Sequence, residues 1–207
     1  MQHGVAPAFT AIPQPLPAML ASAIPQTPNK SYPDLPIINL PPGKLLITEQ
    51  PTIVSTILGS CISLCLHSEK LRIGAICHGM LPRQTKPPVA GQFPYLDTVV
   101  PHMLKTMTSR FGLTPSELTV KMFGGAGVIQ TGLPIPEGLA IGQQNIAAAL
   151  DSLARFGLVP NVQKTGGTQG YKIFFNTDTG EVFVRRITQK LAKGFAQAMQ
   201  KQSVSAL

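Results

Sequence analysis

The stretch Ser55-Thr-Ile-Leu-Gly-Ser-Cys61-Ile-Ser-Leu-Cys-Leu-His67 is rich in β-forming residues and is interrupted once, at Gly59. After the glycine, apolar side chains occupy every second position, which is the period of a strand. Residues 71–81 predict a second strand, and residues 68–70 predict the turn between the two. Because strands that are adjacent in sequence usually pair, we expect Cys61 on the first and His78 on the second to lie close together.

A thiol and an imidazole are the minimum parts of a cysteine nucleophile with its base. The thiolate is the reactive species, and an adjacent imidazole can lower a cysteine pKa from about 8.5 to about 3.5–7.5. Two structural alternatives compete with catalysis. A free cysteine is usually inert packing, and a histidine in an apolar run is often a core residue. The interval from Cys61 to His78 has no fixed catalytic value across families, so spacing alone leaves both interpretations open.

A zinc site is the competing chemical interpretation, since Cys61, Cys65, Cys77 and His78 are all possible ligands. On a strand that rises about 3.3 Å per residue, Cys61 and Cys65 lie roughly 13 Å apart. Zinc needs its ligand atoms at about 2.0–2.3 Å. Cys77 and His78 point to opposite faces of a strand. The sequence therefore predicts no metal site, and because the glycine run at 124–127 lacks the Lys-Ser/Thr of a phosphate loop, it predicts no cofactor either.

The remaining elements follow from periodicity and stop signals. Strands are predicted at 44–48 and 118–123, helices at 96–111 and 141–156, and a hairpin at 171–184. Gly112 and Gly157 are expected to end the two helices. Pro101 is compatible with the first helix if it falls in the first turn.

Three segments are predicted: a proline-rich disordered extension at 1–38, one domain at 39–187, and a basic amphipathic C-terminal helix or tail at 188–207. Residues 1–36 contain eight prolines, which favour extended conformations. From Arg185 onward the chain has five basic residues and no acidic one. Apolar side chains recur there every four residues, along one helix face. The tail is expected to pack on its own domain, to grip a partner or to lie on a membrane surface.

The chain has 207 residues, of which 43% are hydrophobic and 13% charged, with a formal charge of +8. This charge favours acidic partners. Nucleic acid is not favoured, because the chain has no RNA-binding aromatic motif and no zinc-finger spacing. Three cysteines do not make a disulfide framework, which favours a reducing cytoplasm. No apolar run reaches the roughly 18 residues of a membrane span.

Five ordered segments together resemble the bacterial chemoreceptor glutamine deamidase family, CheD. They are Leu58-Gly-Ser-Cys61, His78-Gly-Met-Leu-Pro82, Lys121-Met-Phe-Gly-Gly-Ala126, Ile141-Gly-Gln-Gln-Asn145 and Thr165-Gly-Gly167. The resemblance covers about residues 40–187. The pairing of the first two segments, seventeen residues from Cys61 to His78, is its most specific part.

The resemblance implies an α+β fold with layered β-sheets and helices packed outside, related to the cytotoxic necrotizing factor deamidase toxins. It implies that Cys61 attacks a receptor glutamine amide, with His78 as base and then acid. The family's third catalytic residue is a threonine six positions before the cysteine, which is Ser55 here, with Thr56 beside it. In a regular strand Ser55 shares the face of Cys61. A bulge at Gly59 would reverse this, so Thr56 is the second candidate.

The resemblance also implies two partners, the cytoplasmic domains of methyl-accepting chemoreceptors and a phosphatase of the CheC type. It further implies a methylesterase side activity. The chain departs from the family pattern at Gln144, Lys164 and Tyr171, away from the cysteine and histidine, which bears on substrate choice or partner binding. Two other functions remain open. One is a thiol amidohydrolase acting on another amide, and the other is a regulatory binding module whose cysteine is catalytically idle.

Overall fold

The computed structural model describes residues 35–127 and 141–187. Within them are nine strands, two α-helices and one short 3-10 helix, Pro115–Glu117. The strands are β1 Ile37–Asn39, β2 Leu45–Thr48, β3 Ile53–Leu58, β4 Ile62–Ser68, β5 Ile73–Cys77, β6 Thr119–Gly124, β7 Val162–Thr165, β8 Tyr171–Asn176 and β9 Val182–Arg186. The helices are α1 Leu96–Phe111 and α2 Ile141–Ala154. The predicted tail at 188–207 lies outside the described residues, as does all but the end of the predicted extension.

The strands form two mixed sheets, which makes the fold α+β as predicted. Sheet A has the order β1-β3-β8-β9, with β1 parallel to β3 and the other pairs antiparallel. Sheet B has the order β2-β5-β4-β6-β7, with only β6 and β7 parallel. The chain leaves sheet A at the end of β3 and enters sheet B at the start of β4, so residues 59–61 connect the two sheets.

Two apolar clusters fill the spaces between the layers. One lies between sheet B and the helices and contains Ile62, Leu64 and Leu66 of β4 with the buried face of α1. The other lies between the two sheets and contains Val54 and Leu58 of β3. Both faces of β4 are therefore buried, which explains why the strand is apolar on one side and carries small or weakly polar residues on the other.

Several details differ from the sequence prediction. Pro101 lies in the second turn of α1, not the first, and its missing N–H removes the hydrogen bond that would reach the carbonyl of Asp97. The strands β1 and β7 were not predicted, because each is a short edge strand with no clear alternation. β1 also straddles the predicted domain boundary at 39. The predicted strand at 71–81 is shorter in the structure, Ile73–Cys77, and His78 directly follows it.

The main predicted elements are confirmed within one to a few residues. The hairpin of β8 and β9 has the expected antiparallel pairing. Gly112 ends α1 in the left-handed conformation, at φ 66°. In the described residues, no helix is long and apolar enough to cross a membrane.

Candidate active site

Cys61 lies in the connection between the two sheets, directly before β4, and its side chain is partly exposed. Each of the three carbonyl groups in this connection is held by a hydrogen bond. Ala126 N–H donates to the carbonyl of Gly59 (2.8 Å), and Gly125 N–H donates to the carbonyl of Cys61 (2.9 Å). The amide of Asn145 on α2 donates to the carbonyl of Ser60 (2.9 Å). The backbone that carries the thiol is therefore fixed from one side.

The glycine run after β6 makes this arrangement possible. Gly124 has φ +108°, and a Cβ atom built there would lie 2.1 Å from the carbonyl oxygen of Cys61. A Cβ at Gly142 would lie 2.5 Å from the carbonyl oxygen of Gly125, so the start of α2 also packs directly on this run. Only glycine allows backbone to approach backbone this closely. The run is therefore a support for the cysteine connection.

Cys61 and His78 lie on the same face of sheet B, the face turned toward sheet A. An isolated bridge pairs Ile62 with Gly79, and antiparallel pairing then places Cys61 opposite Met80 and His78 opposite Ser63. Cys61 and His78 are thus diagonal neighbours on one face, a relationship that places Cα atoms roughly 7–8 Å apart, within reach of long side chains. Ser63 does not block the space, since its hydroxyl donates to the carbonyl of Cys77 (2.6 Å).

The imidazole of His78 is held by a hydroxyl from the opposite sheet. Oγ1 of Thr56 lies 2.7 Å from Nδ1 of His78 and 2.8 Å from the carbonyl oxygen of Leu40. A threonine hydroxyl has one proton. When it donates that proton to Leu40, it accepts from Nδ1–H of His78, which leaves Nε2 as the basic nitrogen. In the described part of the chain, Nε2 is buried and has no hydrogen-bond partner.

Ser55 does not contact the histidine. Its hydroxyl donates to Oδ1 of Asn39 (2.6 Å) on the outer face of sheet A. Thr56 shares the inner face of β3 with Val54 and Leu58, so Ser55 points away from sheet B. The expectation that Ser55 shares a strand face with Cys61 is wrong, because the chain passes from sheet A to sheet B between these two residues. The connection at Gly59 and Ser60 breaks the two-residue period, and the second candidate, Thr56, is the hydroxyl at the site.

Burial sets the protonation states of the pair. It lowers the pKa of His78 to about 4, and the carbonyl of Leu40 opposes this only partly. It raises the pKa of the Cys61 thiol, and the Cys61 backbone N–H opposes that shift. Both groups are therefore neutral near pH 7, so the histidine is available as a base and the thiol keeps its proton. The lowered cysteine pKa that a neighbouring imidazole can produce is not found here.

Asn145 is a site residue that the sequence interpretation named only as part of a motif. The buried face of α2 consists of Gly142, Asn145, Ala148, Ala149, Ser152 and Leu153. The larger apolar residues that marked the helix in the sequence, such as Ile146 and Leu150, lie at the margin of this face. An amide on a face made mostly of small residues is a signal in the sequence, but its hydrogen-bond partners are backbone carbonyls that no pattern reveals.

A free thiol, a neutral imidazole oriented by a hydroxyl, and a fixed backbone connection define a candidate cysteine hydrolase centre. Comparison with known proteins gives the family. Residues 80–186 match the family described as CheD chemotactic sensory transduction. The chain belongs to the CheD family.

The curated relatives cover most of the chain. A probable chemoreceptor glutamine deamidase CheD 2 of Geobacter sulfurreducens is 38% identical over 76% of this chain and 94% of that protein. A probable chemoreceptor glutamine deamidase CheD of Maridesulfovibrio salexigens is 37% identical over 76% of this chain and 96% of that protein. Among solved structures, Bacillus licheniformis hypothetical protein YfiH matches 59% of this chain and 50% of that chain, with 13% identity and a TM-score of 0.39.

Proposed function

We propose that this protein hydrolyses the side-chain amide of specific chemoreceptor glutamines to glutamate, with Cys61 as the nucleophile and His78 as the base. The observation that supports this most strongly is the Leu40–Thr56–His78 chain of hydrogen bonds. It directs the proton to Nδ1 and leaves Nε2 unpartnered, on the sheet face that His78 shares with the Cys61 thiol. The names of the relatives supply the substrate class.

In the proposed reaction, Nε2 of His78 takes the thiol proton as Sγ of Cys61 attacks the carboxamide carbon of glutamine. The tetrahedral intermediate then collapses and the C–N bond breaks. The imidazolium returns its proton to the departing nitrogen, so that ammonia leaves. Water attacks the resulting thioester and gives its proton to Nε2, and the thiolate leaves and is reprotonated. Each turnover consumes one water and yields glutamate and ammonia.

The oxyanion of this intermediate needs donors, and the backbone at Cys61 is suited to supply one. Within the described residues, the N–H groups of Ser60 and Cys61 donate to no backbone carbonyl. Because a trans peptide points its N–H opposite to its C=O, holding the Ser60 carbonyl on the α2 side directs the Cys61 N–H the other way.

The proposal extends to the fold relationship, the location and the partners. We propose that the domain at 39–187, extended to include β1, is related to the cytotoxic necrotizing factor deamidases, and that it works in the cytoplasm. The receptor's acidic signalling helices would be attracted by the charge of +8. A CheC-type phosphatase is the proposed regulatory partner. The flanking segments at 1–38 and 188–207 are proposed as contacts for partners.

The test is mass spectrometry of a chemoreceptor cytoplasmic fragment after incubation with the full chain. Each deamidated glutamine gains about one dalton, and the gain should be absent with Cys61→Ala or His78→Ala. Turnover that weakens strongly with salt would support electrostatic attraction of the receptor.

Other outcomes would overturn the proposal. Receptor binding without any mass change would indicate an idle binding module. A Cys61-dependent release of ammonia from small amides, but not from receptor fragments, would indicate a different amidohydrolase. Deamidation that persists in Cys61→Ala would exclude the thioester route.

A further inference from the structure

Asn145 connects the two backbone segments that carry the catalytic pair. Its Nδ2 donates to the carbonyl of Ser60 and to the carbonyl of Met80, at 2.9 Å each. Ser60 precedes Cys61, and Met80 follows His78 by two residues on the strand extension that lies opposite Cys61. One amide group thus bonds to both backbone segments, the one that precedes the thiol and the one that follows the imidazole.

The chemistry of the site explains why an asparagine is needed. An amide NH₂ has two protons, one for each carbonyl, whereas a serine or threonine hydroxyl has only one. Two carbonyl oxygens at hydrogen-bond distance also identify Nδ2, and not Oδ1, as the atom between them. Asn145 is completely buried, and in the described chain its Oδ1 has no partner.

The unpartnered Oδ1 argues against a purely stabilising role. A buried acceptor without a partner is unfavourable, so the asparagine is retained at this position for its two donated hydrogen bonds, which an alanine would forfeit. The side chain is kept in an unfavourable position, where its two donated hydrogen bonds act only on the backbone at Ser60 and Met80.

We infer that Asn145 is a positioning residue for the proposed reaction: it fixes the Ser60–Cys61 peptide, and so the direction of the Cys61 N–H that binds the oxyanion. It also fixes the distance from this peptide to the strand extension after His78. The inference rests on the proposed function. It predicts an effect on the transition state, where negative charge develops on the carbonyl oxygen, and little effect on substrate binding or on the thiol itself.

The experiment compares the full chain with Asn145→Ala in two assays. In receptor deamidation, we expect kcat to fall by about 10- to 100-fold with KM changed less than about two-fold, since only transition-state stabilisation is lost. In alkylation by iodoacetamide, which forms no oxyanion, we expect the rate for Cys61 to change by less than about three-fold, because burial and not the Cys61 N–H has the larger influence on the thiol pKa. Ser152→Ala is the matched control, because Ser152 lies buried on the same helix face and should leave both rates unchanged.

Each result decides the inference. An unchanged kcat in Asn145→Ala would overturn it, and so would a parallel loss of deamidation and alkylation, which indicates general distortion of the site. If Asn145→Ala does not fold, Asn145→Ser replaces it. The serine hydroxyl can donate to only one of the two carbonyls. A kcat below the wild-type value with normal alkylation therefore supports the inference, and a wild-type kcat refutes it. Deamidation that survives Cys61→Ala would instead refute the proposed function, independently of Asn145.

Discussion

Oγ1 of Thr56 lies 2.7 Å from Nδ1 of His78, although the two residues belong to different sheets. This contact spans the layer between the sheets and joins the imidazole to β3. It holds the Nδ1 side of the ring, and in the described residues Nε2 stays buried without a hydrogen-bond partner. Thr56 is therefore placed to act on the histidine in the way an orienting group acts on the base of a catalytic triad.

The first prediction separates the two neighbouring hydroxyls. Thr56→Val keeps the shape of the side chain but removes the hydrogen bond to His78, so the imidazole loses its fixed tautomer and orientation. We expect kcat for receptor deamidation to fall by about 10²-fold or more. Ser55→Ala is the matched control, because its hydroxyl donates to Asn39 on the outer face of sheet A, and it should retain nearly full activity. The opposite ranking of the two variants would refute the structural assignment.

The second prediction concerns the pH dependence of the pair. Because the pKa of His78 is about 4 and that of Cys61 is raised, the neutral pair persists across the neutral range. We expect kcat/KM to lack an acid limb near about pH 6.5, where an ordinary histidine titrates. Alkylation of Cys61 by iodoacetamide depends on thiolate and should rise with pH throughout that range. An alkylation rate that is already constant at neutral pH would show a preformed thiolate–imidazolium pair instead.

The third prediction is a loss of stability in acid. The folded state holds the pKa of His78 to about 4, below that of the unfolded chain, so protons bind the unfolded state first as pH falls. Stability from this group is complete above about pH 6.5 and is lost on the way to pH 4. Between pH 7 and 5 the loss should be about 2 kcal/mol. Burial also lowers the pKa of His67, which adds to the effect in the same direction.

Urea unfolding at the two pH values measures this loss. His78→Gln should lose less stability in acid than the wild type does, because it removes the group that takes up the proton. His102→Gln is the control, since His102 is exposed on α1, and it should follow the wild type. Equal acid sensitivity of wild type and His78→Gln would contradict the prediction.

The fourth prediction tests the glycine support of the cysteine connection. Gly124→Ala places a Cβ against the Cys61 carbonyl, so the connection must move, and we expect both stability and deamidation to be lost. Gly112→Ala is the control for positive φ alone: φ is +66° there, and no atom lies within 4 Å of the new Cβ. It should lower stability by about 1 kcal/mol and leave kcat unchanged. Thermal melts and receptor deamidation measure both effects, and equal activity of the two variants would show that the close contact is unimportant.

Local patterns predicted most of the elements because they depend on neighbours in sequence. The alternation in β4, the helical period of α1 and the glycine stop at Gly112 are all local. The edge strands β1 and β7 were missed because a short strand at the edge of a sheet is defined by its partner. β7 pairs in parallel with β6, across a separation of about forty residues that no local signal reveals.

The sequence by itself indicated that Cys61 and His78 border the same pair of strands, because Cys61 directly precedes β4, His78 directly follows β5, and these two strands pair as a hairpin. It also determined the family, through ordered motifs. Only the tertiary structure decided which hydroxyl bonds to His78. Counting residues from Ser55 to Cys61 assumes one continuous strand, but the chain changes sheets at Gly59 and Ser60, so alternation on one side of that connection predicts nothing about the other. The same holds for Asn145, whose partners are carbonyl groups that every residue has and that only the fold brings together.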